Sequence, residues 1–255
     1  MARILVTGST EGLGRAAAEA LLSDGHKVVL HARNKDRERA LRDLAERAAG
    51  VVTGDLSSAA DTRAIASHVN ALGRLDAVIH NAAVFIDARR VATPEGHART
   101  LAVNVLAPYM LTALVDRPSR LVYLSSGMHH GGDASLHDID WTARRWSGVQ
   151  AYSDSKLFIA ALAFAAARRW PGMRSNAVDP GWVPTRMGGP GATDDLELGH
   201  LTQAWLAVSD SPAATGSGGY WYHQLRQAPA PAALDERFQN ALLDELTRLT
   251  GVSLP

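Results

Sequence analysis

The 255 residues are enough for one large α/β domain with a substantial core, and we predict a single domain over residues 1–255. Lys plus Arg and Asp plus Glu both number 26, and this balance gives no support for nucleic acid or an anionic membrane surface as a partner. Because the chain has no cysteine, disulfides, thiolate metal sites and cysteine nucleophiles are excluded.

The beginning of the chain already has the pattern of a strand. No positively charged leader with an apolar run precedes Ile4-Leu5-Val6, so we predict no signal peptide. The longest apolar run, Leu157 to Ala167, has 11 residues and is too short to span a bilayer. We therefore expect a cytoplasmic protein without a membrane span.

Short β-branched runs alternate with helical patterns along the chain. The predicted strands are Arg3–Thr7, Lys27–His31, Gly50–Thr53, Ala77–His80, Leu121–Ser125, Arg174–Val178 and Gly219–His223. The predicted helices are Gly12–Ser23, Asp36–Ala49, Ser58–Leu72, Pro94–Leu114, Ala151–Trp170, Leu196–Ser209 and Leu234–Thr250. This alternation predicts a Rossmann-type doubly wound α/β fold: a seven-stranded, mainly parallel sheet with helices on both faces.

A glycine-rich turn lies between the first strand and the first helix. Gly8, Gly12 and Gly14 have the spacing G-x-x-x-G-x-G. Such a turn lets the backbone approach a pyrophosphate and points a helix N-terminus at it. A plain strand-turn-helix is the alternative. If the turn binds a dinucleotide, the loop residues Ser9, Thr10 and Leu13 belong to that site.

The end of the second strand bears on which dinucleotide would bind. An NAD-preferring site places a carboxylate here to accept the ribose 2′-hydroxyl, whereas His31-Ala-Arg33-Asn34 offers a guanidinium fork for a 2′-phosphate. This favours NADP(H) over NAD(H) as cofactor. Glu11 in the glycine loop is a counter-argument, and Arg33 as an ordinary surface arginine is the alternative.

Two further short motifs fall at the carboxyl ends of strands, where such sheets bind ligands. Asp55 and Leu56 follow the third strand, in a position to bind an adenine amino group. Asn81, Ala82 and Ala83 follow the fourth strand. The small side chains would let the backbone approach the cofactor ribose, and the Asn81 amide could tie neighbouring strands together.

Tyr152 and Lys156 are four residues apart on a predicted helix and so lie on one face. A nearby ammonium favours the phenolate, which would lower the pKa of Tyr152 and make it an acid or base near neutral pH. Together with the glycine turn, the pair points to hydride transfer on a carbonyl or alcohol. A tyrosine on an amphipathic surface is the alternative, but the apolar run that follows indicates a buried helix.

Asn104 lies inside the helix that we expect to begin at Thr93-Pro94, a capping residue followed by proline. Pro108 has no N–H, so the Asn104 carbonyl loses its usual donor and the helix should kink there. The alternative is a buried asparagine beside a harmless kink.

The irregular segments His129–Gly148 and Gly188–Asp195 are candidates for substrate contact. We predict no metal site, because the histidines and aspartates of the first segment are polar loop residues of the kind that is usually solvated. Trp141, Trp146 and Trp182 could line an apolar pocket or pack in the core.

Over nearly its whole length, the chain resembles the short-chain dehydrogenase/reductase family. The motifs that carry the resemblance are Thr7–Gly14, Asp55-Leu56, Asn81-Ala82-Ala83, Asn104, Ser125-Ser126, Tyr152-x-x-x-Lys156 and Pro180-Gly181-Trp182-Val183-Pro184-Thr185. The spacing of 26 positions from Ser126 to Tyr152 and the tail from Gly219 to Gly251 are most similar to the retinol-dehydrogenase-like branch.

The resemblance implies roles for individual residues. Tyr152 would exchange a proton with the substrate oxygen, Lys156 would also bind the nicotinamide ribose, and Ser126 would donate a hydrogen bond to the substrate oxygen. The Asn104 carbonyl would hold the water of a proton relay. The Pro180–Thr185 segment would hold the carboxamide, through Thr185 and the Val183 backbone. A swap of roles between Ser125 and Ser126 stays open.

Two other functions are compatible with the same motifs. One is a sugar-nucleotide epimerase, although no separate C-terminal substrate domain is available. The other is an NADP-binding sensor or scaffold with little turnover. Family members often form dimers or tetramers through the helices equivalent to Pro94–Leu114 and Ala151–Trp170, so a homodimer or homotetramer is possible.

Overall fold

The computed structural model describes residues 1–255, and its centre is one eight-stranded sheet. The strands are β1 (Arg3–Val6), β2 (Lys27–Ala32), β3 (Gly50–Thr53), β4 (Ala77–His80), β5 (Arg120–Leu124), β6 (Arg174–Asp179), β7 (Tyr220–Tyr222) and β8 (Leu225–Gln227). Their order in space is β3-β2-β1-β4-β5-β6-β7-β8. Strands β1 to β7 are parallel, and β8 is antiparallel to β7.

Helices connect the strands and cover both faces of the sheet. They are α1 (Gly12–Ser23), α2 (Lys35–Glu38), α3 (Arg42–Ala45), α4 (Ala59–Ala71), α5 (Arg99–Leu101), α6 (Ala107–Leu114), α7 (Gly148–Arg169), α8 (Leu201–Val208), α9 (Pro231–Leu234) and α10 (Glu236–Thr250). The segments Arg39–Leu41 and Gly127–Gly131 are 3₁₀ turns, and Ala102–Leu106 is a π-helical turn. None of the helices combines the length and the hydrophobicity needed to cross a bilayer.

The core has two layers because side chains of a strand alternate between the two faces of the sheet. One layer holds 43 buried residues and includes the inner faces of α4, α6 and α7. The other holds 19 buried residues and includes α1 and α8. The predicted doubly wound fold is confirmed, and the carboxyl ends of the parallel strands meet along one edge.

The sheet has one strand more than the seven that we predicted. Leu225–Gln227 folds back on β7 through a two-residue turn in which His223 and Gln224 both have positive φ, at 46° and 61°. Turns of this kind are usually signalled by Asn-Gly or Asp-Gly. The turn residues here carry no such signal, which is why the strand was missed.

The expected helix start at Thr93-Pro94 is wrong. Thr93 to Gly96 instead form a β-turn, in which the Gly96 N–H donates to the Thr93 carbonyl at 2.9 Å. Pro94 occupies the second turn position, which its fixed φ favours, and Gly96 has φ 89°. A bridge between Ala92 and Ala98 closes this hairpin, and the helical segment begins only at Arg99.

Three other predicted helices differ in extent. The segment Asp36–Ala49 is broken into α2, a 3₁₀ turn and α3. The helix expected from Leu196 begins at Leu201. The last helix is divided at Asp235, whose side chain accepts the Arg237 N–H and so caps α10.

Candidate active site

A cleft of about 580 Å³ runs along the carboxyl ends of the parallel strands. This is the edge where open α/β sheets bind ligands. It brings together most of the cofactor-site residues predicted from the sequence: Gly8, Thr10, Gly12, Leu13, Gly14, Arg33, Asp55, Leu56, Asn81, Ala82, Ala83, Tyr152, Lys156, Pro180 and Thr185. Ser9, Gly181 and Val183 are not among the residues that line it.

The glycine turn has the geometry that a bound pyrophosphate requires. Gly8 and Gly12 have φ of 70° and 57°, in the region that side chains rarely adopt. A Cβ on Gly14 would overlap the Asn81 amide and the Gly8 carbonyl. No side chain caps the N-terminus of α1, so its first N–H groups are free to bind an anion from the cleft. These features fit a dinucleotide.

Hydrogen bonds of the His31 and Ser9 side chains hold the glycine turn in place. The Gly8 N–H donates to His31 Nδ1 at 3.0 Å, and His31 Nε2 lies 2.9 Å from the Gly54 carbonyl. Nδ1 therefore accepts and Nε2 carries the proton, in a neutral ring. Burial lowers the pKa of His31. The Ser9 hydroxyl donates to the Val6 carbonyl and accepts the His31 N–H, so the Ser9 side chain supports the loop and does not face the cleft.

Two arginines lie beside the end of β2. Arg33 is exposed, lines the cleft and forms no ion pair. Arg37, which sequence reasoning missed, donates to the Thr10 hydroxyl at 3.2 Å and pairs with Glu11 at 2.8 Å. Arg186 also lies 3.7 Å from Glu11. Two guanidinium groups thus balance the negative charge of Glu11. This weakens Glu11 as an argument against a 2′-phosphate site.

Asn81 ties the ends of β1 and β4 together, as predicted. Its Nδ2 donates to the Thr7 carbonyl at 3.0 Å, and the Ala82 N–H donates to the Thr7 hydroxyl at 3.0 Å. The Ala82 backbone approaches the glycine turn so closely that a Cβ on Gly8 would lie 3.1 Å from Ala82 Cα. Further along the cleft, Asp55 accepts the Ser57 N–H at 2.9 Å, so its own loop restrains the carboxylate.

Tyr152 and Lys156 lie on α7 at the other end of the cleft. Lys156 is buried, its Nζ donates to the Leu124 carbonyl at 2.8 Å, and it lies 5.4 Å from the centre of the Tyr152 ring. Burial lowers the pKa of Lys156 to about 8. The expected lowering of the Tyr152 pKa is not found, because burial outweighs the opposing effect of the nearby Ser126 hydroxyl and raises the pKa to about 12.

The two serines after β5 have different surroundings. Ser125 is buried, and its hydroxyl donates to the Lys156 carbonyl at 2.9 Å, which attaches α7 to the sheet. The Ser126 hydroxyl accepts the Met128 N–H at 3.3 Å, and its proximity to Tyr152 acts to lower the pKa of the phenol. Ser125 lines the cleft and Ser126 does not, so the division of roles between the two serines stays a prediction.

Asn104 lies in the π-helical turn Ala102–Leu106, which is the form taken by the expected helix distortion. Pro108 lacks the N–H that would complete a regular turn on the Asn104 carbonyl. The Asn104 side chain accepts the Val84 N–H at 2.8 Å and donates to the Ser155 hydroxyl at 3.0 Å. It thereby joins the loop after β4 to α7, while the water-relay role stays a prediction.

In the segment after β6, Thr185 and Pro180 face the cleft. A Cβ on Gly12 would lie 3.6 Å from Thr185, so this segment borders the glycine turn. Val183 is buried, and Trp182 is 52% exposed. Trp141 and Trp146 pack edge to face with ring centres 5.5 Å apart, and Trp146 donates to the Asp87 carbonyl, so these two rings hold loops together.

His129 belongs to the segment expected near the site, but the expectation that its side chain is solvated is wrong. It is fully buried, and its Nε2 accepts the Ala230 N–H at 2.9 Å. Nδ1 must then carry the proton, and it lies 2.8 Å from the Ser126 carbonyl. The ring also stacks on Tyr220 with centres 4.4 Å apart. His129 thus links the backbone of Ser126 to the segment before α9. No residue between His129 and Gly148 lines the cleft.

Comparisons with known proteins show the family to which the chain belongs. Residues 8–210 match the family model described as Enoyl-(Acyl carrier protein) reductase. The chain is 39% identical to the short-chain dehydrogenase chyC of Penicillium rubens, over 100% of both chains. It is 29% identical to human retinol dehydrogenase 13, over 99% of this chain and 85% of that one.

A solved structure shows the same fold with a nucleotide bound. The short-chain dehydrogenase of Shigella flexneri 2a in complex with NADP aligns with a TM-score of 0.66 and 25% identity, over 88% of this chain and 97% of that one. On the fold, the motifs and these relatives, the chain belongs to the short-chain dehydrogenase/reductase family and is a dehydrogenase/reductase with retinol-dehydrogenase-like relatives.

Proposed function

We propose that this protein is an NADP(H)-dependent oxidoreductase that interconverts a small carbonyl compound and its alcohol, with Tyr152 as the acid/base. The observation that carries the proposal is that one cleft holds the Tyr152–Lys156 pair at one end and the unpaired Arg33 at the other. A bound nicotinamide dinucleotide would supply the hydride. Catalytic roles for Ser126 and Asn104, and cofactor contacts by the cleft-lining residues named above, belong to the same proposal.

The protein groups have separate tasks in this reaction. The uncapped N-terminus of α1 and the glycine turn bind the pyrophosphate, and Arg33 with Arg37 binds the 2′-phosphate. Ser126 orients the substrate oxygen, and Tyr152 exchanges a proton with it. Lys156 is the cation that stabilises the developing phenolate.

The electrostatics favour the direction of reduction. Burial raises the pKa of Tyr152 to about 12, so the phenol is protonated at neutral pH and is ready to donate. Lys156, whose pKa is lowered to about 8, loses its positive charge as the pH rises above that value. Carbonyl reduction should therefore be retained below pH 8 and decline above it.

The test is to titrate NADPH and NADH and to follow absorbance of the reduced nicotinamide with aldehydes, ketones and one enoyl thioester. We expect tighter binding of NADPH and turnover of a carbonyl compound. Turnover of the enoyl thioester alone would replace carbonyl reduction by reduction of a carbon–carbon double bond. Tighter binding of NADH would contradict the cofactor preference.

Tyr152→Phe removes the acid/base and leaves the ring that packs edge to face on Phe85, 4.9 Å away between centres. We expect kcat to fall by at least about 100-fold, the range of one general acid/base, while NADPH binding is kept. Phe85→Leu is the control for a packing effect and should keep most of kcat. Full activity of Tyr152→Phe would rule out the assigned role.

A further inference from the structure

We propose that the Asp179 carboxylate is the counter-charge of Lys156 and sets the pH range in which the Tyr152–Lys156 pair works. This inference rests on the proposed function, and it makes Asp179 a positioning residue that acts through Lys156 and Tyr152.

Asp179 lies at the end of β6, directly beside the catalytic end of β5. The Ser125 N–H donates to the Val178 carbonyl at 2.7 Å, so the two strand ends run side by side. Asp179 Oδ1 accepts the Gly181 N–H at 3.0 Å. Its Oδ2 faces Gly127, where a Cβ would lie 3.2 Å from that oxygen. The carboxylate is therefore held between Gly181 and the residue that follows Ser126.

Lys156 needs such a charge because it is buried and has no close anion. No carboxylate lies within 4.0 Å of its Nζ, whose hydrogen bond goes to the neutral Leu124 carbonyl. Burying an ammonium without a compensating negative charge is costly. Burial lowers the pKa of Lys156, and the negative charge of Asp179 is what acts against that lowering.

The same carboxylate acts on Tyr152, whose pKa is raised by burial first and by the charge of Asp179 in addition. Burial also raises the pKa of Asp179 itself, against the hydrogen bond from Gly181. The titratable groups that face Asp179 come from several elements: Tyr152 and Lys156 of α7, Tyr220 and Tyr222 of β7, His223 of the β7–β8 turn and Asp194 of the loop before α8.

Removing the negative charge of Asp179 should lower the pKa values of both Lys156 and Tyr152. Without its negative charge, the Lys156 ammonium and the protonated Tyr152 phenol are each less stabilised, so both pKa values fall. Reduction needs both protons, and the activity is lost as pH rises through these pKa values. The alkaline limb of kcat/KM therefore moves to lower pH. One unit charge at several ångström in a partly desolvated site corresponds to a shift of about one pH unit.

The experiment compares pH profiles of kcat/KM for NADPH-dependent reduction in the wild type, Asp179→Asn, Asp179→Ser and Asp179→Glu. Asn and Ser are neutral but keep an acceptor for the Gly181 N–H, and Glu keeps the charge. We expect the alkaline limb to move down by about one pH unit in the neutral variants and to return towards the wild-type position in Asp179→Glu. The matched control is Asp116→Asn, an exposed carboxylate between α6 and β5, which should leave the profile unchanged.

NADPH affinity at pH 6.5 separates the two proposals. A neutral variant that binds NADPH, turns over and keeps the wild-type alkaline limb overturns the role of Asp179 while the proposed function stands. Failure of both neutral variants to fold also counts against it, because Asp179 would then be a structural residue. A wild type that binds NADPH but reduces no carbonyl overturns the proposed function and this inference together.

Discussion

Arg33 and Arg37 place two guanidinium groups beside the end of β2, and only Arg37 is held in an ion pair. A free, exposed arginine loses little on binding an anion, because no existing partner has to be displaced. Arg37 is fixed by Thr10 and Glu11, so it can present its other donors at a set position. At the scale of single residues, Arg33 is therefore where cofactor preference can be tested most directly.

Arg33→Ala should weaken NADPH binding by about 10- to 100-fold and leave NADH binding nearly unchanged, because a charge-assisted hydrogen bond to the 2′-phosphate is lost. Calorimetric titration of both nucleotides measures this. Arg39→Ala is the matched control, since Arg39 is an exposed arginine nearby that pairs with Asp36 at 3.2 Å and does not line the cleft. An equal loss for NADPH and NADH would show that Arg33 binds something other than the extra phosphate.

At the scale of elements, helices and turns form where the local sequence predicts them, except where contacts between distant segments favour another structure. The glycine turn and α1 lie where the glycine spacing places them, and the distortion predicted from Pro108 is present as a π turn. Thr93-Pro94 carries a helix-start signal, but the same two residues suit a β-turn. The structure has the β-turn. Glu95 in this turn accepts the Ala59 N–H at the start of α4 at 2.7 Å, which is a contact between distant segments.

The β7–β8 turn gives a prediction at this scale. Gln224 has φ 61°, a left-handed conformation that costs a residue with a Cβ roughly 1 kcal/mol. Gln224→Gly keeps the backbone N–H that donates to the Thr202 hydroxyl at 3.0 Å. We expect it to raise the free energy of unfolding by about 0.5–1 kcal/mol, measured by urea denaturation.

Gln227→Gly is the control within the same hairpin. Gln227 is also exposed but lies in the extended strand β8, where glycine is unfavourable, so this change should lower stability. A loss of stability in Gln224→Gly would mean that the side chain makes a favourable contact larger than the relief of strain.

At the scale of the whole molecule, the C-terminal helices complete the main core layer. Every residue of α7 from Ala151 to Ala166 is buried within one chain, and α9 and α10 pack against it. The Tyr109 hydroxyl of α6 bonds to Thr247 at 2.7 Å and to the Val252 carbonyl at 2.9 Å. The faces expected to serve a homodimer or homotetramer are thus covered by this chain's own residues, and the oligomer stays a prediction.

Buried neutral histidines give the whole fold a dependence on pH. Burial lowers the pKa of His31, of His80 to about 3 and of His129 to about 4. Unfolding restores a pKa near 6.5, so below about pH 6.5 the unfolded chain binds protons that the folded chain does not. The free energy of unfolding should fall with decreasing pH, by up to about 1.4 kcal/mol per pH unit for each histidine.

Urea denaturation at pH 7.5 and 5.5 checks this. Lower pH is avoided because burial raises the pKa of Asp154, and protonation of this carboxyl in the folded state increases stability as pH falls. The hydrogen bond with Asp140 raises the pKa of His97, which offsets part of the expected loss between the two pH values. His80→Gln should reduce the difference between the two pH values, whereas His68→Gln, on the exposed face of α4, is the control and should not. Equal stability of the wild type at both pH values would contradict the expectation.

The sequence by itself determined the features that depend on neighbours along the chain. Glycine spacing decides where the backbone can turn tightly, helical spacing puts Tyr152 and Lys156 on one face, and alternating strand and helix patterns produce the doubly wound sheet. Only the tertiary structure decided the contacts between distant segments: His31 bonded to Gly8, Glu11 paired with Arg37, His129 bonded to Ala230, and Asp179 facing Gly127. It also set the protonation of Tyr152, because burial depends on everything packed around a group and leaves no local signal in the chain.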